Sequence, residues 1–225
     1  LRNPAVLESL ARVEAYGGTT LEEFDRCSYR WFVSHELAPR PLGPDPAPLV
    51  QGGLAHSALH RLYEEKPEGE PLPRAATLRA WQERAREVVA ALAAERGLGD
   101  DPAERAIVRR VERLLDRFLA EEAARAEAGG GFAPWLLEAR FGEGEECDRP
   151  ALQLGDWSLH GAIDRVDRDP RGRAVVFDYK LAGSVTPAAK FEQEAKLQLP
   201  LYMEAVERLW GGEAAAGLYH PLRGT

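Results

Sequence analysis

Apolar positions recur with two different periods along this chain, and the change falls near residue 130. Over about 75–96, Leu78, Trp81, Ala85, Val88, Val89 and Leu92 repeat at helical spacing. Over about 102–127, Ile107, Val111, Leu114, Leu115, Phe118 and Leu119 do the same. Both stretches are rich in Ala, Glu and Arg, so the pattern predicts two long helices. A shorter helix is predicted over about 52–65, carried by Leu54, Ala55, Ala58, Leu59 and Leu62. Upstream, residues 5–15 are weakly amphipathic. Thr20 followed by Glu23 makes a capping-box pattern ahead of a helix over 21–37. Prolines at 39, 41, 44, 46 and 48 exclude a helix or a central strand there, and a second Pro-rich break covers 67–73.

After Gly129-Gly130-Gly131 the period shortens towards two. Residues 135–142 read as a strand. Residues 151–167 alternate through Trp157, Leu159, Ile163 and Val166, and Ala174–Phe177 reads as a short strand buried on both faces. Asp169-Pro170-Arg171-Gly172 is a turn signal between them. Thr186-Pro187 suits the start of a helix over about 187–210, kinked at Pro200. Gly211-Gly212 ends that helix, and 214–221 is a last strand. The order is helix, helical insert at about 66–131, three strands, helix, strand. That order predicts an α/β (α+β) chain, taken as one domain over 1–225 with the insert packed on the α/β part.

Composition adds bounds. The chain has 225 residues, and 44% of them are hydrophobic, enough to bury a core without staples. Two cysteines exclude a disulfide-rich scaffold, and no apolar run nears the roughly 18 residues of a membrane span. The first expectation is therefore a soluble, intracellular, acidic globular protein with no membrane partner. The opening Leu1-Arg2-Asn3 and the lone Met203 are read as those of a segment of a longer polypeptide. A net charge of −8 argues against holding a polyanion through bulk charge. The acidity is unevenly spread, however. Residues 160–200 carry seven Lys and Arg against six Asp and Glu.

That slightly basic segment also holds the densest cluster of candidate chemistry: Gly161-Ala162-Ile163-Asp164-Arg165-Val166-Asp167, then Val175-Val176-Phe177-Asp178-Tyr179-Lys180. Two strands joined by the 169–172 turn bring Asp164 near Asp178. An Asp ending an apolar strand is costly unless it has a partner or a metal. Hard divalent cations take carboxylate oxygens. Lys180 lies two residues past Asp178, on the same side of a strand. Carboxylate, cation and ammonium together can activate water against a phosphodiester. Singly, each feature has a plainer reading: an exposed Asp–Lys ion pair, turn aspartates at 164 and 167, a core or surface histidine at His56 or equally His60. Gln198 and Tyr202, four apart on one helix face, read alone as a core tyrosine with a polar neighbour.

Taken in order, the motifs Gly52-x-x-x-His56, Gly161-x-Ile163-Asp164-Arg165-x-Asp167, Asp178-Tyr179-Lys180 and Gln198-x-x-x-Tyr202 resemble the PD-(D/E)XK nuclease superfamily, in its RecB/AddB-like branch. The resemblance spans roughly 20–221, with no signature in the insert. It implies a restriction-endonuclease-like core, a mixed central sheet flanked by helices. It implies that His56, Asp164, Asp178 and the Tyr179 backbone carbonyl hold Mg²⁺ or Mn²⁺. Lys180 would orient or deprotonate the attacking water, and Gln198 and Tyr202 would contact the DNA backbone. The activity implied is a DNA exonuclease in the nuclease part of a helicase–nuclease for DNA repair or recombination, partnered by DNA and a helicase domain or subunit, in the cytoplasm. The alternative is a catalytically inert module of the same fold that binds DNA or a protein. Cys27 matches the family's N-terminal cysteine, which in many members is one of four holding a [4Fe–4S] cluster. The only other cysteine here is Cys147, so such a cluster is expected only in a full-length protein.

Overall fold

Helices build the first half of the chain and strands most of the second. The computed structural model describes residues 3–10, 15–39, 47–67, 70–129, 131–181 and 185–222. Helix α1 (Pro4–Leu10) precedes a short strand, β1 (Ala15–Gly17), helix α2 (Gly18–Arg26), helix α3 (Ser28–Trp31) and a π-helical turn at Phe32–Leu37. Three long helices follow: α4 (Ala47–Glu64), α5 (Leu78–Glu95) and α6 (Pro102–Ala128). Then come β2 (Ala133–Phe141), β3 (Leu152–Leu154), β4 (Trp157–Arg168) and β5 (Arg173–Lys180). A 3₁₀ turn, helix α7 (Gln198–Ala205), a π-helical turn at Val206–Trp210 and β6 (Glu213–Pro221) complete the order.

The sheet is mixed and organised around β4. The first residues of β4 pair with β1 in parallel and with β3 antiparallel; its remainder pairs antiparallel with β2 on one side and β5 on the other. β5 pairs in parallel with β6. Alternate residues of β5 face opposite layers, as strand geometry requires. Phe177 and Tyr179 join the core formed by α4, α5 and α6, with Leu59, Trp81, Val111 and Phe118. Ala174 and Val176 join the other core, with Ile163, Leu199, Tyr202 and Val206. The insert thus shares one continuous core with α4 and the sheet. Burying a side chain the size of Phe118 or Leu59 contributes about 1.5–3 kcal/mol. α6 starts sharply because Asp101 and Glu104 form a complete capping box with Pro102 in the first turn.

α5, α6 and the β5 and β6 strands lie where periodicity predicts them. α4 begins at Ala47, earlier than the predicted 52, and takes Pro48 into its first turn, where a missing N–H costs nothing, so the end of the proline run does not exclude a helix. Four further local expectations fail. The capping box at Thr20 and Glu23 does not exist: α2 already begins at Gly18, and the Glu23 carboxylate bonds His35 at 2.8 Å instead. The predicted helix over 21–37 breaks at Cys27, whose backbone is extended (φ −164°). The alternating run over 151–167 is a hairpin, β3–β4, turning at Gly155 with φ +69°. The predicted helix over 187–210 begins only at Gln198. Pro200 explains this last difference. It falls in the first turn of α7, where a missing N–H costs nothing, so it marks a helix start and not a kink.

Candidate active site

Three neighbouring elements converge at one end of the sheet. His56 lies on α4 among the buried residues Leu54, Ala55, Ala58 and Leu59, which fix that helix against the sheet. Asp164 lies on β4 and Tyr179 on β5. The Asp164 carboxylate accepts the Tyr179 amide at 2.6 Å (Oδ2) and faces His56 Nδ1 at 3.3 Å (Oδ1). His56 Nε2 lies 3.0 Å from the Tyr179 carbonyl oxygen. Both ring nitrogens therefore face acceptors, which suits the protonated ring. Burial works against that charge, but the bonded Asp164 carboxylate, helped by Glu138, outweighs it and the His56 pKa is raised. His56, not His60, faces Asp164; His60 lies on the next turn, near Glu64 at 3.9 Å.

Sequence reasoning missed Glu138. It sits on β2 between the pairs Leu137↔Arg165 and Ala139↔Ile163, which sets it beside Asp164. With His56 and Asp164 it forms a group whose ligand atoms lie within 4.8 Å of one another, the single such cluster among the described residues. Its backbone is left-handed, φ +46°. That conformation costs a non-glycine residue about 1–3 kcal/mol and is held only where surrounding structure enforces it, commonly at functional sites. Burial, then the Asp164 charge, raises the Glu138 pKa. No pattern within WLLEARF distinguishes this Glu from a solvent-facing one on an amphipathic strand.

Asp178 is not one of the group of His56, Glu138 and Asp164; it pairs with Lys180. Lys180 Nζ is 2.7 Å from Asp178 Oδ2 and donates to Gln198 Oε1 at 3.0 Å. It also lies 5.2 Å from the centre of the Tyr219 ring. Burial, followed by the Asp164 charge, pushes the Asp178 carboxyl up to about 6 despite the lysine. Asp178 Oδ2 is buried and makes no aligned hydrogen bond, so the lysine contact leaves lone-pair capacity on it. Gln198 and Tyr202 are both buried, and Gln198 Nε2 reaches Tyr202 Oη at 3.4 Å. Gly161 is required beneath Tyr202, since a Cβ there would lie 2.8 Å from Tyr202 Cε1. The glycine of one motif and the tyrosine of another are thus two halves of one contact.

The site opens on two clefts. One, of about 600 Å³, is lined by His56, His60, Glu138, Arg140, Asp148 and Asp164. The other, of about 450 Å³, is lined by Glu22, Arg26, Lys180, Lys196, Gln198 and Tyr219. Cys27 stands apart from both. It is exposed, its thiol accepts the Arg30 amide at 3.5 Å, and it belongs to no cluster of ligating side chains among the described residues.

Comparison with known proteins gives this arrangement a family. A family model for the PD-(D/E)XK nuclease superfamily matches residues 18–224. The chain belongs to that superfamily. Two relatives, each a subunit of an ATP-dependent helicase/deoxyribonuclease, come from Geobacillus thermodenitrificans (strain NG80-2) and Geobacillus kaustophilus (strain HTA426). They are 30% and 29% identical to it over 200 residues, covering 83% of this chain. The chain spans about one-sixth of their length, 17% of each.

PD-(D/E)XK nucleases use divalent metals, and the donors present fit such an ion. The carboxylate and carbonyl oxygens are donors that hard cations take, and one imidazole stands beside them. The buried Asp178 oxygen with spare acceptor capacity is a further fit. No described helix is long and apolar enough to cross a membrane.

Proposed function

We propose that this chain is a deoxyribonuclease domain that hydrolyses DNA phosphodiester bonds with Mg²⁺ or Mn²⁺. One observation carries the reading: Glu138, Asp164, His56 and the Tyr179 carbonyl meet at one point, with Asp178 and Lys180 beside them. His56, once it gives up its extra ring proton, would hold the cation with Asp164, Asp178 and the Tyr179 carbonyl, and Glu138 would add a carboxylate. A bound divalent cation would polarise the phosphate and acidify water. Lys180, steadied by Asp178 and Gln198, would orient the attacking water and offset charge developing on phosphorus oxygens. The water oxygen forms the new P–O bond, the bond to the leaving sugar oxygen breaks, and that oxygen takes up a proton. Because Gln198 and Tyr202 are both buried, Gln198 would act on the DNA backbone through Lys180, and Tyr202 through Gln198.

The wider role rests on the relatives. Their names support a nuclease domain within a helicase–nuclease, which would have DNA and a helicase domain or subunit as partners. Exonuclease action in repair or recombination, in the cytoplasm, is part of the same proposal and goes beyond those names. Residues 1–225 would then form one nuclease domain with the α5–α6 insert. Cation binding can be tested by Mn²⁺ soaks read by anomalous scattering. The expected peak lies between His56 and Asp164, whereas a peak at His60 and Glu64 contradicts the ligand set. Wild-type protein should cut linear single- or double-stranded DNA with Mg²⁺ or Mn²⁺ and not with EDTA. Metal and DNA binding without cleavage would favour an inert module.

A further inference from the structure

Helix α7 carries Gln198 in its first turn, yet its own sequence supplies no cap. The preceding residue is Leu197, which has no side-chain acceptor. Pro200 removes one of the four N-terminal amides that lack a partner within the helix, and the others need acceptors. Two of them are met from a distant part of the chain. Glu22, on α2, accepts the Leu197 amide at 2.9 Å and the Gln198 amide at 3.0 Å, both on Oε1. Its Oε2 lies 3.4 Å from Lys196 Nζ. The Glu22 side chain is only 11% exposed, so it is a built contact and not a surface coincidence. Gly18 permits it, because a Cβ there would sit 3.3 Å from the Gln198 Cα.

From this geometry we propose that Glu22 is a positioning residue for the proposed nuclease site. It acts through α7: by capping the helix it fixes the Gln198 backbone, and the Gln198 side chain then holds Lys180 Nζ at 3.0 Å. α2 touches neither Asp164 nor Asp178 through Glu22. Its hydrogen bonds reach Lys180 through Gln198, and their loss should appear in turnover more than in substrate binding. The inference rests on the nuclease reading, since it concerns what Lys180 is held for.

Two variants separate capping from charge. Glu22→Gln keeps an acceptor oxygen for both amides. Glu22→Ala removes it. With Mn²⁺ and a labelled DNA oligonucleotide, Glu22→Ala should lower kcat by about 10- to 100-fold, with KM within about threefold of wild type. Glu22→Gln should stay within about threefold of wild type in both. Amide hydrogen exchange at Leu197 and Gln198, read on the same proteins without substrate, should show protection in wild type and Glu22→Gln and its loss in Glu22→Ala. Unchanged exchange in Glu22→Ala, or a folded Glu22→Ala that turns over like wild type, overturns the proposal. So does Glu22→Gln failing as badly as Glu22→Ala. If wild type itself never cuts DNA, the nuclease reading falls, and the exchange result still decides whether Glu22 caps α7.

Discussion

Replacing Arg165 with Met removes the one cation at the centre of a buried polar network. Arg165 is 3% exposed at its side chain and bonds Asp167 Oδ2 at 2.7 Å and Glu122 Oε2 at 2.7 Å. Its guanidinium also lies over the Tyr63 and Phe177 rings, 4.7 and 5.3 Å from their centres. Glu122 receives the Tyr63 hydroxyl at 3.0 Å and Arg125 at 2.6 Å. The network ties α4, which carries His56, to α6 and to β4 one residue beyond Asp164. Without Arg165, two buried carboxylates face each other with the half-exposed Arg125 as the remaining bonded cation among the described residues. Removing one partner of a buried pair costs about 3–5 kcal/mol, a large share of a typical domain's roughly 5–15 kcal/mol.

The loss should depend on pH. Burial opposes the charged form of both acids. At Glu122 the charges of Arg165 and Arg125 prevail and its pKa is lowered, whereas at Asp167 burial prevails and its pKa is raised. Once Arg165 is gone both should rise, and protonation then relieves the repulsion. Urea denaturation followed by circular dichroism should show the full loss at pH 8 and a smaller one at pH 5.5. Adding Glu122→Gln and Asp167→Asn to Arg165→Met should restore much of the stability, because no buried charge then remains unpaired; Arg125 keeps contact with solvent. A loss under about 1 kcal/mol, or one independent of pH, would refute this reading of the network.

Three further outcomes follow from the site. Asp178 has a raised folded pKa of about 6, so its contribution to the metal-free fold is fully present below the ordinary carboxylate range and is lost as pH rises through about 6. A cation needs the charged form, so calorimetric Mn²⁺ affinity should rise from pH 5 to 7.5; a flat profile counts against Asp178 as a ligand. Glu138→Gly relieves the left-handed backbone and should leave the metal-free protein as stable or up to about 1 kcal/mol more so, while weakening Mn²⁺ binding; unchanged binding would remove Glu138 from the site. Gly161→Ala drives a methyl into Tyr202 and should cost about 1–3 kcal/mol in chemical denaturation, and a neutral result would mean that the Gly161–Tyr202 contact is loose.

Much of this was legible in the chain because it follows from short-range periodicity. α5 and α6 announce themselves through Trp81, Val88, Val111 and Phe118, and the β4–β5 hairpin through its turn and the spacing of Asp164 and Asp178. What escaped depends on distant partners. Glu138 acquires meaning only when β2 pairs with β4, and its left-handed backbone has no sequence signature. Glu22 lies about 175 residues from the amides it caps, beyond any local pattern. The start of α7 was readable in hindsight, since Pro200 fits a first turn better than an interior. From the residues alone His56 and His60 are equivalent; the Gly52-x-x-x-His56 resemblance selects His56, and its ring is the one that turns to Asp164.

His56, Asp164, Asp178 and Lys180 are proposed above all as a metal-dependent site for cutting DNA. The most direct test is single-turnover cleavage of an end-labelled oligonucleotide in Mg²⁺ or Mn²⁺ by wild type, Asp178→Ala and Lys180→Ala, each checked for folding. Wild type should cleave, EDTA should abolish that cleavage, and each variant should lose at least about 100-fold. Cleavage that survives both substitutions, or that proceeds without metal, would contradict the proposed site.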